Sequence, residues 1–582
     1  MNRPGRGPRR RFGRVLSVLA ALLMAAGCTS DGGPGSAPRV RLDHTTAVPA
    51  APLADTGPVP GSVTESWHVD TPLTVDRFRS REAEKSPRLL NGQLVVASSR
   101  GLDVYDATTG KERWHYREPG RRLDGYAATA GVLVAMTQRP DSDDKSSSRR
   151  VGLDAGTGHV LWTSRDEGVR FTSEATSEVV AGGGVVPMRK REDADGLFGV
   201  DARSGRIRWT RERVGNKGCE TSDISNDGND GSLLLFRERC HDRDRILALD
   251  PATGRVRWRK EIVQQPNEEV SRANVSGGIA LVTYMTGFRL FAADGHELAE
   301  KSDLGCAVWC GLQTTAGYAV VAPMIADIGD SGKSQLLIVD TRTGRATVYP
   351  VNESYSALTV AGGRVYGLHQ HVFASTSVEL LPSGLDVITP ATGAVQPRPL
   401  PFATTRYRDV QPGEPTADWT AVAGGRLYTK RLVGDTVRVT SYTTTTPGDP
   451  AELGGVREKD WPDTCRLAPG FERGIISKAA DRSATIGSTT LRSVLCDFDS
   501  EDGSGTVETA WVAASPERAH ALLTMPTTAQ KAHVDGADEA YPINDSKDLW
   551  IRVGRYVVRV TDFDPKDGIR LASAVAHELR KR

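Results

Sequence analysis

The chain has 582 residues, with 74 Lys+Arg against 73 Asp+Glu, a formal net charge of +1 and 38% hydrophobic residues. That length gives room for a large folded body and a smaller one. The balanced charge excludes the basic surplus of a nucleic-acid-binding chain, and the hydrophobic content excludes a disordered one.

In chain order, Arg9, Arg10, Arg11 and Arg14 precede an apolar run, Val15 to Met24, too short to span a bilayer. A small-residue site, Ala25-Ala-Gly-Cys28, follows. This arrangement resembles the bacterial lipobox. The resemblance implies that residues 1–28 are a lipoprotein signal peptide, that Cys28 becomes the first residue, and that its thiol carries a diacylglycerol. Arg9-Arg10-Arg11-Phe12-Gly13-Arg14 also resembles a twin-arginine export signal, which leaves the general secretory and twin-arginine routes both open. Residues 29–62, rich in Gly, Pro, Ala, Ser and Thr, read as a flexible tether. No later segment approaches the ~18 apolar residues of a membrane span.

Seven cysteines leave six once Cys28 is set aside, an even set that suggests pairing in an exported chain. Proximity in sequence proposes Cys219–Cys240, Cys306–Cys310 and Cys465–Cys496, one of about fifteen connectivities.

From Leu102 the chain repeats itself. Leu102-Asp-Val-Tyr-Asp-Ala-Thr-Thr-Gly-Lys-Glu-Arg-Trp114 returns as Gly152 to Trp162, Gly199 to Trp209 and Ala248 to Trp258. Each copy runs an apolar strand into Asp-x-x-Thr/Ser-Gly and places a tryptophan four residues after the glycine. This is a hairpin: the Asp and Thr/Ser side chains bond the turn backbone, and glycine supplies positive φ. Degenerate copies end at Gly295, Gly344 and Gly393, so the period is about 48 residues, that of a four-stranded propeller blade. A second signature, glycine before an apolar strand, starts eight hairpins: at Gly92, Gly131, Gly184, Gly231, Gly278, Gly317, Gly363 and Gly425. The eighth lacks its tryptophan strand, and Trp67 sits on a lone strand of that type near the N-terminus. An eight-bladed ring over residues 63–446, closed by the Trp67 strand, satisfies both signatures; a seven-bladed ring is the alternative.

These hairpins resemble those of PQQ-like (quinoprotein-type) β-propellers. The resemblance implies that Trp67, Trp114, Trp162, Trp209 and Trp258 dock flat between blades. Ala299, Val348 and Pro397 stand at the tryptophan position in units five to seven, so those blades should be less tightly locked. The family includes quinone-dependent alcohol dehydrogenases and non-catalytic envelope proteins, and fold alone does not choose between them. The dehydrogenases' vicinal cysteine pair has no counterpart here; Cys306 and Cys310 are separated by three residues.

Other chemistry is thin. His369 and His371 could share one strand face as a metal site would need, but no third ligand is placed. Asp223 to Gly228 begins like a calcium loop but has Leu234 at its closing position. Asp497 to Glu508 closes correctly but has Asp502 where glycine should turn. Both read as acidic surface turns.

Residues 451–582 change grammar and read as a small α+β domain. Ser515-Pro516 opens a helix, Leu549–Val553 and Tyr556–Thr561 make a hairpin, and Leu571, Val575 and Leu579 stripe a closing helix. An early helix carries Cys465. Trp461-Pro-Asp-Thr-Cys465, Cys496 and the hairpin resemble small domains of actinobacterial envelope lipoproteins, a source that the Arg-, Gly- and Ala-rich composition also resembles.

The expected function is a lipid-anchored binding or scaffolding protein on the outer face of the cell membrane, non-catalytic and without cofactor, with an envelope protein or cell-wall ligand as partner. The alternatives are a PQQ-dependent oxidoreductase and a ligand sensor acting with a membrane kinase.

Overall fold

The computed structural model describes residues 42–57, 63–72, 87–139, 148–165, 169–171, 178–180, 183–190, 196–224, 230–240, 243–262, 270–284, 287–301, 310–323, 335–351, 355–369, 384–399, 419–433, 436–444, 458–473, 484–486, 489–491, 494–500, 503–513, 515–523, 531–543, 548–562 and 565–582. Cys28, Cys306, His371, Asp502 and the linker at 447–450 lie outside these residues, as does the side chain of His369. Residues 1–41 form a separate unit, all of it outside the described residues.

The fold is mainly β, a multi-bladed propeller followed by an antiparallel sheet with helices. Eight antiparallel sheets of the repeat type stand among the described residues. The first is built from Arg88–Leu90, Gln93–Ser98, Gly101–Asp106 and Glu112–Arg117. The same four-strand order repeats through the seventh, which ends with Ala394–Pro399. The eighth takes Thr420–Ala423, Arg426–Val433 and Thr436–Thr444 from the far end of the repeats and Val63–Pro72 from near the N-terminus. In it Trp67 lies opposite Ser441, and Val69 opposite Val439.

Apolar clusters fill the seams between consecutive sheets. Trp114, Val104 and Leu102 of the first pack with Leu133, Val151 and Leu153 of the second. Leu94 and Val96 of the first pack with Val439, Trp67 and Val69 of the eighth. Burying such side chains is worth roughly 1.5–3 kcal/mol each, so the seams supply much of the ring's stability.

The third sheet departs from the pattern. Its inner strand Val169–Phe171 pairs with Met188–Lys190 and ends where Pro187 would come opposite. Proline has no N–H to offer a ladder. The chain then lays Glu178–Val180 parallel to Tyr126–Ala128 of the second sheet, as a fifth strand.

The expected flexible tether is shorter than 29–62. Residues 42–57 are seated on the ring as a strap. Asp43 and His44 pair with Arg117 and Tyr116, adding a fifth strand to the outer edge of the first sheet. The strap then crosses to the motif turn of the second sheet, where the Ala47 amide donates to the Thr157 carbonyl (2.9 Å) and His44 Nε2 to the Gly158 carbonyl (2.8 Å). Farther on, the Gly424 and Gly425 amides of the eighth sheet donate to the Ala54 and Thr56 carbonyls (2.8 and 2.9 Å). The Gly362 amide of the seventh donates to Asp55 Oδ1 (3.0 Å). Composition misled here: a Pro/Ala/Thr segment without periodicity still carries backbone groups that bond to open turns.

The C-terminal region forms a six-stranded sheet in the order Glu472–Arg473, Leu495–Ser500, Gly503–Val512, Tyr556–Asp562, Asp548–Val553, Glu539–Ile543. Helix α1 (Pro516–Leu523) packs with Trp511, Tyr541, Trp550 and Val557. Helix α2 (Pro565–Arg580) buries Leu571, Val575 and Leu579 in a second cluster with Val507, Ile551 and Val558. Cys465 sits on a 3₁₀ turn, Thr464–Arg466, rather than on the expected helix.

Candidate functional site

The turn chemistry is that of the motif. Asp106 Oδ1 accepts from the Thr108 amide (3.0 Å), the Thr109 amide (2.9 Å) and the Thr109 hydroxyl (3.1 Å), and Asp106 Oδ2 accepts from Arg113 (3.2 Å). Gly110 then closes the turn at φ +70°, with its amide on the Asp106 carbonyl (2.8 Å). Asp154, Asp201 and Asp250 organise their turns in the same way.

Each turn glycine has a second reason to lack a side chain. A Cβ on Gly110 would lie 2.7 Å from the Trp67 ring, and one on Gly158 the same distance from the Trp114 ring. Trp162, Trp209 and Trp258 lie likewise against Gly205, Gly254 and Gly295. Every tryptophan of the motif therefore rests on the glycine turn of the next sheet, and Trp67 of the eighth rests on the first.

Most of the indole N–H groups also bond across or along the seam. Trp67 donates to the Thr108 carbonyl (2.9 Å), Trp162 to Ala202 (2.8 Å) and Trp209 to Pro251 (3.1 Å). Trp114 donates to Gln93 Oε1 (3.1 Å), whose own amide reaches the Gly156 carbonyl (3.0 Å). Trp258 Nε1 is buried and meets no acceptor among the described residues. It faces the shortened turn at Ala292–His296.

The expected loosening of units five to seven is uneven. A Cβ at Gly344 would meet only the Leu298 carbonyl, at 3.6 Å, so no aromatic ring covers that turn. At Gly393, however, Tyr349 takes the tryptophan's place, while Val348 is 38% exposed. The reason is register. The outer strands bearing Trp114, Trp162, Trp209 and Trp258 each contain a bulge just before the ring, whereas Ala346–Pro350 pairs without one. Losing one residue of bulge flips the facing by one position. Pro397's side chain lies outside the described residues.

Cys219–Cys240 and Cys465–Cys496 are disulfides, with Cα atoms 4.5 and 5.1 Å apart. Cys310 is disulfide-bonded too, its partner lying outside the described residues. Glu238, missed in the sequence, is fully buried beside Cys219 and Cys240. Both sulfurs are already bonded to each other. The carboxylate instead accepts from Asn216 and pairs with Arg245 (3.5 Å) and Arg259 (3.8 Å).

The described parts of the two acidic stretches belong to strands. Leu495–Ser500 and Gly503–Val512 are one hairpin in which Glu508 lies opposite Leu495. Glu508 is no surface-turn residue: it is 2% exposed and paired with Arg559 at 3.5 Å, in the sheet interior. In the other, Glu220–Asp223 is the inner strand of the fourth sheet, and residues 225–229 lie outside the described residues. The adjacent-cysteine ring of quinone-dependent dehydrogenases is not encoded. The residues do not fit that feature, and no catalytic step is derived through a quinone.

Residues 64–232 match the family described as Outer membrane protein assembly factor BamB. That stretch covers the first sheets of the ring, so the likeness to the family is carried by their repeats. Among solved structures the chain is similar to quinohemoprotein alcohol dehydrogenase from Comamonas testosteroni, with 13% identity over 67% of this chain and 78% of that one, and a TM-score of 0.38. It is similar to the alcohol dehydrogenase ADHIIG from Pseudomonas putida HK5, with 12% identity over 74% and 81%, TM-score 0.36. The WD40 domain of SCAP from fission yeast gives 8% identity over 64% and 98%, TM-score 0.36. Likenesses of this size carry no argument about activity. No curated protein sequence matches the chain.

Proposed function

We propose that the protein is a lipid-anchored binding or scaffolding protein on the outer face of the cell membrane, tethered through Cys28, with a protein of the envelope as its partner. What supports this reading is the stapling. Tryptophans resting on the next sheet's turn, together with the strap, make a body whose surfaces keep a fixed geometry, and a rigid scaffold is what recognition requires. Two disulfides suit the oxidising compartment outside the cytoplasm. No helix among the described residues is long and apolar enough to cross a membrane, so attachment is assigned to the N-terminal lipid.

The test is crosslinking of the protein in intact cells followed by mass spectrometry, with an absorption scan of the purified material. A reproducible envelope partner, lost with Cys28→Ala, is the expected result. Quinone absorbance with substrate oxidation would replace this reading with an oxidoreductase.

A further inference from the structure

The outer strand of each sheet ends the hydrogen-bonding order and leaves one backbone edge open. In the first sheet the chain fills that edge itself: Asp43–His44 adds to Glu112–Arg117, and the Asp43 carboxylate bonds His115 (2.9 Å) and Arg117 (3.4 Å). One carboxylate of the added strand thus sits on the His115 and Arg117 side chains of the edge.

The corresponding edge of the third sheet, Ile207–Arg211, has no added strand among the described residues. It carries the most exposed large aliphatic side chain of the outer strands. Ile207, two residues after the turn glycine, is 60% exposed, and Val160 and Val256 hold the same repeat position on the sheets to either side, at 38% and 36%. The same repeat position is thus exposed and aliphatic on three consecutive sheets, most of all at Ile207.

The charge around this edge is mainly basic, with Glu261 the one acid on the two strands. Arg206, Arg208 and Arg211 lie on it or in its turn, and Arg255, Arg257 and Arg259 on the neighbouring outer strand. Trp209 joins the two through its seat on Gly254. Arg208 and Arg257 are committed to their turn aspartates at 2.7 Å, and Arg259 reaches buried Glu238 only at 3.8 Å. Glu212 is the one carboxylate directly after the strand. Arg211 donates one bond, to the Val214 carbonyl (3.1 Å), while its Nε is buried without a partner among the described residues. Its pKa is lowered by burial and by the repulsion of Arg259. The two guanidinium groups of Arg211 and Arg259 thus repel each other at this edge.

We infer that the edge Ile207–Arg211 is a docking site for an extended, acidic segment of a partner protein, which adds to the third sheet as a fifth strand in the way that Asp43–His44 adds to the first. Backbone bonds supply the affinity, and alternate carboxylates facing Arg211, Arg259 and Arg206 supply the choice of partner. The same charges repel a second copy of this edge, which favours an acidic strand over self-association.

This inference rests on the scaffold reading and names the chemistry of its partner. Its test is independent of the anchor and of any cellular pathway. The purified full chain, in detergent, is titrated with a synthetic alternating Val/Glu peptide and with its Val/Lys counterpart, and backbone amide exchange is followed by mass spectrometry. The acidic peptide is expected to slow exchange across Ile207–Arg211 and not across the outer strand Ala346–Pro350 of the sixth sheet. Arg211→Glu should weaken its binding about tenfold. Arg206→Glu, a change in an exposed turn that folding tolerates, should weaken it in the same direction. Three outcomes would overturn the inference: no protection at about 1 mM peptide, equal protection by the lysine peptide, or protection only by phosphatidylglycerol vesicles, which would assign the patch to a lipid surface.

Discussion

Trp67 donates its indole N–H to the Thr108 carbonyl at 2.9 Å and lies against Gly110, although 41 residues separate the first pair and the two belong to opposite ends of the ring. The seam between the eighth and first sheets is therefore closed by the same device that joins neighbours in sequence. Tyr428 reinforces it, with its hydroxyl on the Ala107 carbonyl (3.0 Å). Gly110→Ala introduces a Cβ into the ring at a positive-φ position. It should cost about 2–4 kcal/mol by chemical unfolding. A loss below about 0.5 kcal/mol would mean the seam is not held there.

Trp209 and Trp258 occupy equivalent positions but differ at the nitrogen. Trp209 bonds Pro251, whereas Trp258 buries an N–H with no acceptor among the described residues. Phenylalanine removes a hydrogen bond at the first and an unsatisfied donor at the second. Trp209→Phe should be the more destabilising by about 1 kcal/mol, read as a difference in denaturant midpoint at constant m-value. Equal losses would show that ring area alone sets the staple's strength.

The turn aspartates set the ring's acid limit. Asp106, Asp201 and Asp250 sit below their ordinary 3.8: burial is the largest single influence and pushes each pKa up, but hydrogen bonds from the turn and the paired arginine outweigh it. A depressed carboxylate contributes stability above its unfolded pKa and loses it as pH falls through the folded value. Unfolding should therefore set in below about pH 4. Asp106→Asn, which keeps the turn's shape, should flatten part of that dependence in thermal melts from pH 2 to 6; an unchanged slope would remove Asp106 from the account.

The strap carries its own pH window. His115 lies between Asp43 (2.9 Å) and Glu112 (2.6 Å), with Arg117 also on Asp43 and the Thr45 hydroxyl on the ring. Burial, the largest influence on His115, opposes protonation, but the bonds to Glu112 and Asp43 outweigh it and raise its pKa above 6.5. Asp43 is lowered, foremost by its bond from His115. The imidazolium's contribution is complete below 6.5 and is lost as pH rises through the raised value. Asp43's is present above 3.8 and is lost as pH falls through the lowered one. The clasp should hold best between about pH 4 and 6.5 and loosen toward pH 9. His115→Gln should lower Tm at pH 6 by about 2 °C and not at pH 9. A difference independent of pH would leave the clasp without its titrating group.

Sequence periodicity reached the repeat because hairpin chemistry is local: Asp106, Thr109 and Gly110 act within five residues of one another, and Trp114 lies four residues on. It reached the disulfides Cys219–Cys240 and Cys465–Cys496 because each joins cysteines close in sequence, 21 and 31 residues apart. It missed Tyr349 because a bulge is a property of two paired strands. It missed the strap because residues 42–57 bond through backbone groups, which every sequence has. Glu508 read as part of a surface turn, and Glu238 went unread, because their arginines, Arg559 and Arg245, become neighbours only after strand pairing.

The eighth sheet has a consequence for how the protein is made. Val63–Pro72 emerges early from the translating or exporting machinery, but its partner Thr436–Thr444 follows about 370 residues later. Through that interval the N-terminal strand lacks its partner and Leu94 and Val96 of the first sheet lack their Val439 cover, so both are open to wrong association. The strap's bonds to Gly362, Gly424 and Gly425 wait equally long. Ring closure therefore waits for Thr436–Thr444, and the interval before it is when the chain most needs protection from its own edges.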